Sequence, residues 1–140
     1  MQEINLEATE KSPAIRFDPD KKKFEMLGNS RPENVRDFYI PVLDRLRDNF
    51  EEVLKTPEHE KEEPIKFVFK LEYFNSSSAK FISDLLVLIG NYHRKGVPVK
   101  IYWYFQEGDE DMMEVGEDFS EMIDLSFQMV MVSGKGDSGS

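Results

Sequence analysis

The chain reads as a small α/β domain built on a mixed sheet in the order ββαβαβαβ, and three observations predict it. Ile65, Phe67, Phe69, Leu71 and Tyr73 alternate with Lys66, Val68, Lys70 and Glu72, the period-two pattern of a strand. Directly afterwards, Phe81, Ile82, Leu85, Leu86, Ile89 and Tyr92 recur at the spacing of one helix face. Strand-like and helix-like segments then keep alternating, which favours parallel neighbours joined by right-handed crossovers. With 140 residues, 39% apolar content and eleven Phe, there is material for one domain with a real core.

The elements follow in order. A polar leader occupies residues 1–11, and a single regulatory-sized domain occupies 12–132. Ala14-Ile15-Arg16-Phe17 reads as a short strand, Asp18-Pro19-Asp20 as a turn, and residues 23–27 as the returning strand of a hairpin. Ser30 with Glu33 three residues on fits a capping box, with Pro32 in the first turn. A helical period then runs through Val35, Phe38, Val42, Leu46, Phe50, Val53 and Leu54, interrupted by Pro41, which delays or kinks the helix. Residues 55–64 are charged and turn-rich, an exposed loop. After the central strand and helix, the remaining pattern gives a strand over 97–105, a helix over 112–123, a last strand over 127–132 and a flexible Gly/Ser tail over 133–140. This is the element order of the sulfate-transporter and anti-sigma-antagonist fold.

Composition narrows the function. A formal net charge of −10 disfavours nucleic acid and anionic membrane surfaces and suits a partner with a basic patch. The absence of cysteine removes disulfides, thiol nucleophiles and thiolate metal sites and fits a reducing cytoplasm. The first residues lack a signal-peptide pattern, and no apolar run approaches the roughly 18 residues of a membrane span.

Catalytic constellations are poorly represented. A serine hydrolase needs a base held by a third group, yet the two histidines are His59, in the charged loop, and His93, at a helix end beside Arg94 and Lys95. Ser77 lacks the Gly-x-Ser-x-Gly elbow. No Gly-rich nucleotide loop occurs, so no cofactor is expected. The stretch from Glu107 to Asp124 holds nine carboxylates, but Met113 and Glu114 break any match to a calcium loop, so no metal is expected either. It reads as a solvated helix face or as a docking surface for a basic partner. Tyr102-Trp103-Tyr104-Phe105 reads as sheet packing before a ligand platform.

The run Leu71-Glu72-Tyr73-Phe74-Asn75-Ser76-Ser77-Ser78-Ala79-Lys80 carries the most information. It places an Asn and three hydroxyls where a strand meets a helix, beside unpaired N–H groups and the positive end of the helix dipole. Two readings stay open on physics alone: a helix cap, or a hydroxyl where a phosphate can be attached and read.

The chain resembles the SiaC-type regulatory phosphoproteins over about residues 12–130. The resemblance rests on Ser12-Pro13-Ala14-Ile15, on Gly28-Asn29-Ser30-Arg31-Pro32-Glu33-Asn34, on Gly96-Val97-Pro98-Val99, and above all on Leu71 through Ser78. It implies an anti-sigma-antagonist-like fold and a bacterial, cytoplasmic, non-catalytic partner-switching role. A protein kinase would phosphorylate one hydroxyl and a PP2C-class phosphatase would remove it. The unphosphorylated form would activate a diguanylate cyclase, raising cyclic di-GMP and promoting biofilm formation. The family's acceptor is a Thr directly after the Asn, which maps onto Ser76, with Ser77 as runner-up and Asn75 and Lys80 as phosphate-orienting or partner contacts. Ser in place of Thr keeps the hydroxyl but loosens the rotamer. An unmodified interaction module and, less well supported, a hydrolase using Ser77 are the competing readings.

Overall fold

In the computed structural model, which describes residues 1–133, six strands form one sheet in the spatial order of the sequence. The strands are β1 (Ile4–Leu6), β2 (Ala14–Asp18), β3 (Lys23–Ser30), β4 (Ile65–Phe74), β5 (Val99–Gln106) and β6 (Gln128–Val132). The helices are α1 (Val35–Leu54), α2 (Ser76–Arg94) and α3 (Glu110–Ile123). β1–β2–β3 pair antiparallel, and β3–β4–β5–β6 pair parallel. The mixed α/β architecture is the expected one. The tail expected beyond Ser133 lies outside the described residues.

The leader contributes a strand that the sequence does not announce. β1 pairs Ile4 with Phe17, and Ile4 is buried while its neighbours Asn5 and Leu6 are exposed. Three residues are too few to show an alternation, so one apolar side chain carries the whole signal. Gln2 is held as well: its N–H donates to Asn49 Oδ1 at 2.7 Å, and Asn49 Nδ2 donates back to the Gln2 carbonyl at 3.0 Å.

Two local expectations are corrected. Ser30 is not the cap of α1; it ends β3 and is buried. Asn34 caps α1 instead, accepting the Asp37 N–H. Pro41 does not delay the helix, which starts at Val35 and runs through it. Pro41 and Asp37 are both exposed, so the carbonyl that proline leaves without a donor faces solvent.

Residues 55–64 form the expected exposed connection, tightened by a short 3₁₀ turn at His59–Lys61. α2 ends as its sequence suggests. Gly96 takes φ +105°, the Val97 N–H reaches back to the Tyr92 carbonyl, and the Gly96 N–H reaches His93, the Schellman arrangement glycine permits.

All three helices cover one face of the sheet. Phe67, Phe69 and Trp103 point to that face; Phe50 of α1 stacks on Phe67, and Phe119 of α3 meets Trp103 edge-on. α2 joins them through Tyr92 stacked on Phe50 and Phe81 stacked on Tyr39. Trp103 also donates its ring N–H to the Met112 carbonyl at 2.9 Å, meeting the need of a buried indole. Among the described residues no helix covers the opposite face, where Lys66, Lys70 and Glu72 of β4 and Lys100 of β5 are exposed.

The layers come close at Gly116 of α3, where an added Cβ would lie 2.4 Å from Trp103 Cδ1. Gly116→Ala is therefore expected to lower stability by about 1–3 kcal/mol despite the better helix propensity of Ala, read as a lower urea midpoint. An unchanged or higher midpoint would show that Trp103 can retreat.

Candidate regulatory site at the start of α2

The site begins with a cap. Asn75 is extended at φ −86°, and its side-chain oxygen accepts the Ser78 N–H at 2.9 Å. α2 thus starts within the serine run, with Ser76, Ser77 and Ser78 as its first three residues. The cap is the Asn. Nothing in helix geometry offers the Ser76 and Ser77 N–H groups a partner.

The three serines then divide by helix phase. Ser78 lies on the stripe that continues through Phe81, Ile82, Leu85 and Ile89, and it is fully buried. Ser76 and Ser77 are exposed. Beneath them runs a chain of buried hydroxyls. Ser30 Oγ lies 2.8 Å from Ser78 Oγ and 2.5 Å from Tyr39 Oη, so β3, α1 and α2 meet at three hydroxyl oxygens. The Asn75 N–H donates to the Ser30 carbonyl at 3.1 Å. Ser30 therefore grips the Ser76 segment on both sides, by main chain before it and by side chain after it. Burial pushes the Tyr39 hydroxyl up to about 12, against the smaller opposing effect of its bonds to Ser30 and Ser78.

Electrostatically this terminus differs from the other two. α1 has Asp37 in its first turn and α3 has Glu110 and Asp111, whereas α2 has no acidic residue there. A negative charge at Ser76 or Ser77 would meet an uncompensated dipole end. Beside it lies a groove of about 290 Å³ lined by Glu72, Tyr73, Phe74, Asp109, Met112 and Val115, among others. Tyr73 is 50% exposed. Its lining combines apolar side chains with the carboxylates of Glu72, Asp109 and Asp111.

The sequence matches the SiaC family regulatory phosphoprotein over residues 6–132. The chain belongs to the SiaC family. A relative in Pseudomonas aeruginosa strain UCBPP-PA14, the uncharacterized protein PA14_02130, is 31% identical over 127 residues, covering 91% of this chain and 93% of its own. SiaC of Pseudomonas aeruginosa superposes with a TM-score of 0.72 at 28% identity, covering 95% of this chain and 99% of that one. A similar match, TM-score 0.71 at 28% identity over 93% of this chain and 98% of the other, is to a chain in the crystal structure of the diguanylate cyclase SiaD in complex with its activator SiaC from the same organism.

Within this SiaC-family fold, the residues singled out from sequence fall as follows. Asn75, Ser76 and Ser77 sit together at the exposed start of α2. Lys80 lies one turn on, but its ammonium pairs with Asp84 Oδ2 at 2.9 Å, further down the helix. That pair is exposed and so weak enough to exchange. His93 is sixteen residues along α2 from Ser77, about 24 Å at helical rise, and it faces the Val97 carbonyl. The two cannot act as nucleophile and base. Six carboxylates of α3 are exposed, and among the described residues no group of acidic or histidine side chains could hold a metal ion. Trp103 is core, as expected of the aromatic strand, while Tyr102 and Tyr104 occupy the open face.

Sequence reasoning missed the Ser30–Tyr39–Ser78 chain. Ser78 was findable, because it is in phase with the apolar stripe of its own helix. Ser30 and Tyr39 were not, because their meeting depends on how α1 crosses the sheet.

Two outcomes test this site. Asn75→Ala is expected to cost about 1 kcal/mol through loss of the cap, with faster amide exchange across residues 76–78. For Tyr39, the folded value near 12 lies above the ordinary 10, so unfolding releases its proton between those limits. Its contribution is complete below about pH 10 and disappears as pH rises toward 12. Tyr92, raised by desolvation and then by Glu51, acts in the same direction. Urea stability measured from pH 9 to 12 should fall less steeply in Tyr39→Phe than in the parent. Parallel curves would contradict the burial argument.

Proposed function

We propose that this chain is a non-catalytic signalling protein whose phosphorylation at Ser76 governs its binding to a diguanylate cyclase. The observation that carries the reading is the position of Ser76: exposed, first in α2, at a dipole end without acidic compensation, and with a hydroxyl that makes no hydrogen bond among the described residues. Family membership and the SiaD–SiaC complex support the choice of partner. A kinase and a PP2C-class phosphatase would set the state, and the unmodified form would raise cyclic di-GMP in the cytoplasm and favour biofilm growth.

The physical mechanism acts at the interface. A phosphate adds about −1.5 to −2 charges and three acceptor oxygens. The free N–H groups of Ser76 and Ser77 and the dipole absorb part of that charge, so the domain stays folded. Lys80 can leave Asp84 and turn toward the phosphate, being one helical turn away. The partner surface has no such compensation. It meets a bulky dianion beside a groove already lined by Glu72 and Asp109, and a basic or apolar segment fitted to the neutral hydroxyl loses its place. Ser77, equally exposed, is the second acceptor, and Ser78 is excluded from modification by its burial and its bond to Ser30.

The test compares Ser76→Ala, Ser76→Asp and the parent for binding to the host's diguanylate cyclase by calorimetry. The Ala variant should bind like the unmodified parent, and the Asp variant about a hundredfold more weakly, equivalent to about 2.7 kcal/mol. Equal binding by all three would remove the switch. Intact mass of protein taken from its host, before and after phosphatase treatment, should show one phosphate on Ser76. If none appears under any growth condition, the chain is an unmodified interaction module.

A further inference from the structure

The uncovered face of the sheet carries a row of three lysines. Lys23 of β3 stands opposite Lys66 of β4, and Lys66 stands opposite Lys100 of β5. Like charges directly across neighbouring strands destabilise a sheet. Lys23 finds relief in Glu25 at 3.4 Å, but none of the ion pairs formed among the described residues includes Lys66 or Lys100. This happens in a chain with 28 acidic residues against 18 basic ones. One row further on, Val68 lies beside Tyr102, and Lys70 places its ammonium 4.6 Å from the centre of the Tyr104 ring. The face is a flat apolar and aromatic floor with cations standing over it.

We infer that this face is a docking surface, distinct from the Ser76 rim, for an acidic face of a partner protein. Carboxylates of the partner pair with Lys66 and Lys100 and cancel their mutual repulsion, while its apolar side chains lie on Val68, Tyr102 and Tyr104. The charges around the row select the class of partner. Asp18, Glu25 and Glu72 share the face, and the chain's net charge is −10. A nucleic acid or an anionic membrane presents a continuous polyanion and needs an unbroken basic surface. A protein patch is finite and can be matched to the row alone.

The test uses the full unmodified chain and a short fluorescein-labelled peptide in which glutamates alternate with leucines, a finite patch of the inferred chemistry, with anisotropy read at low salt. Lys66→Gln/Lys100→Gln should weaken binding about tenfold or more. Lys55→Gln/Lys61→Gln, which removes the same charge elsewhere on the surface, should change it less than about twofold. The Lys66→Gln/Lys100→Gln variant should also melt at the same temperature as the parent or higher, because a repulsion has been removed. The inference is overturned by equal losses in the two double variants, by no binding of the Glu/Leu peptide, or by a lower melting temperature in the first variant. It is equally overturned if single-stranded RNA or anionic phospholipid vesicles of matched charge compete better than the unlabelled peptide.

Discussion

The direction of the crossovers constrains almost everything else in this molecule. From β3 to β6, each parallel strand is followed by a helix and then by its immediate neighbour on the same side. Right-handed connections that always step the same way place every helix on one face. The core therefore forms between that face and three helices, and the other face receives no helix from the described residues. The same stepping brings the carboxyl ends of β3, β4 and β5 to one edge, where α2 and α3 begin. The exposed serines, the groove beside them and the lysine row all follow from this arrangement.

Within that frame, the hydroxyl chain explains how an exposed segment is held still. Ser30, Tyr39 and Ser78 are buried polar groups, and each has at least one partner, which removes the cost of leaving such groups dry and unsatisfied. Their bonds are also directional. They fix the rotation of α2 against β3 and α1, and with it the outward aim of Ser76. A hydrophobic contact at the same place would contribute comparable stability without fixing that aim so narrowly. The stacked Tyr39 and Phe81 rings, 5.6 Å apart, reinforce the same junction.

The charges of the molecule are unevenly distributed. α3 carries six exposed carboxylates and no basic residue, while the open sheet face carries the lysine row. The start of α2 has no acidic residue in its first turn. In the proposed switch, a local change of charge at Ser76 would be read against this background. At physiological ionic strength, screening over about 8 Å keeps that reading local.

The sequence by itself determined the element types, the parallel alternation, the strand-to-helix junction at Asn75 and the residues that mark the family, because each is written in local periodicity or in a contiguous motif. The phase of α2 also holds the signal that sets Ser78 apart from its two neighbours, although it was not read from the sequence. The tertiary structure alone decided that Ile4 closes the edge of the sheet, that Ser30 belongs to the buried hydroxyl chain and not to a helix cap, that Pro41 is carried inside α1, and that Lys23, Lys66 and Lys100 stand in one row. These depend on register and on which face a helix covers. Both are set by packing between segments tens of residues apart, and no short window of sequence contains them.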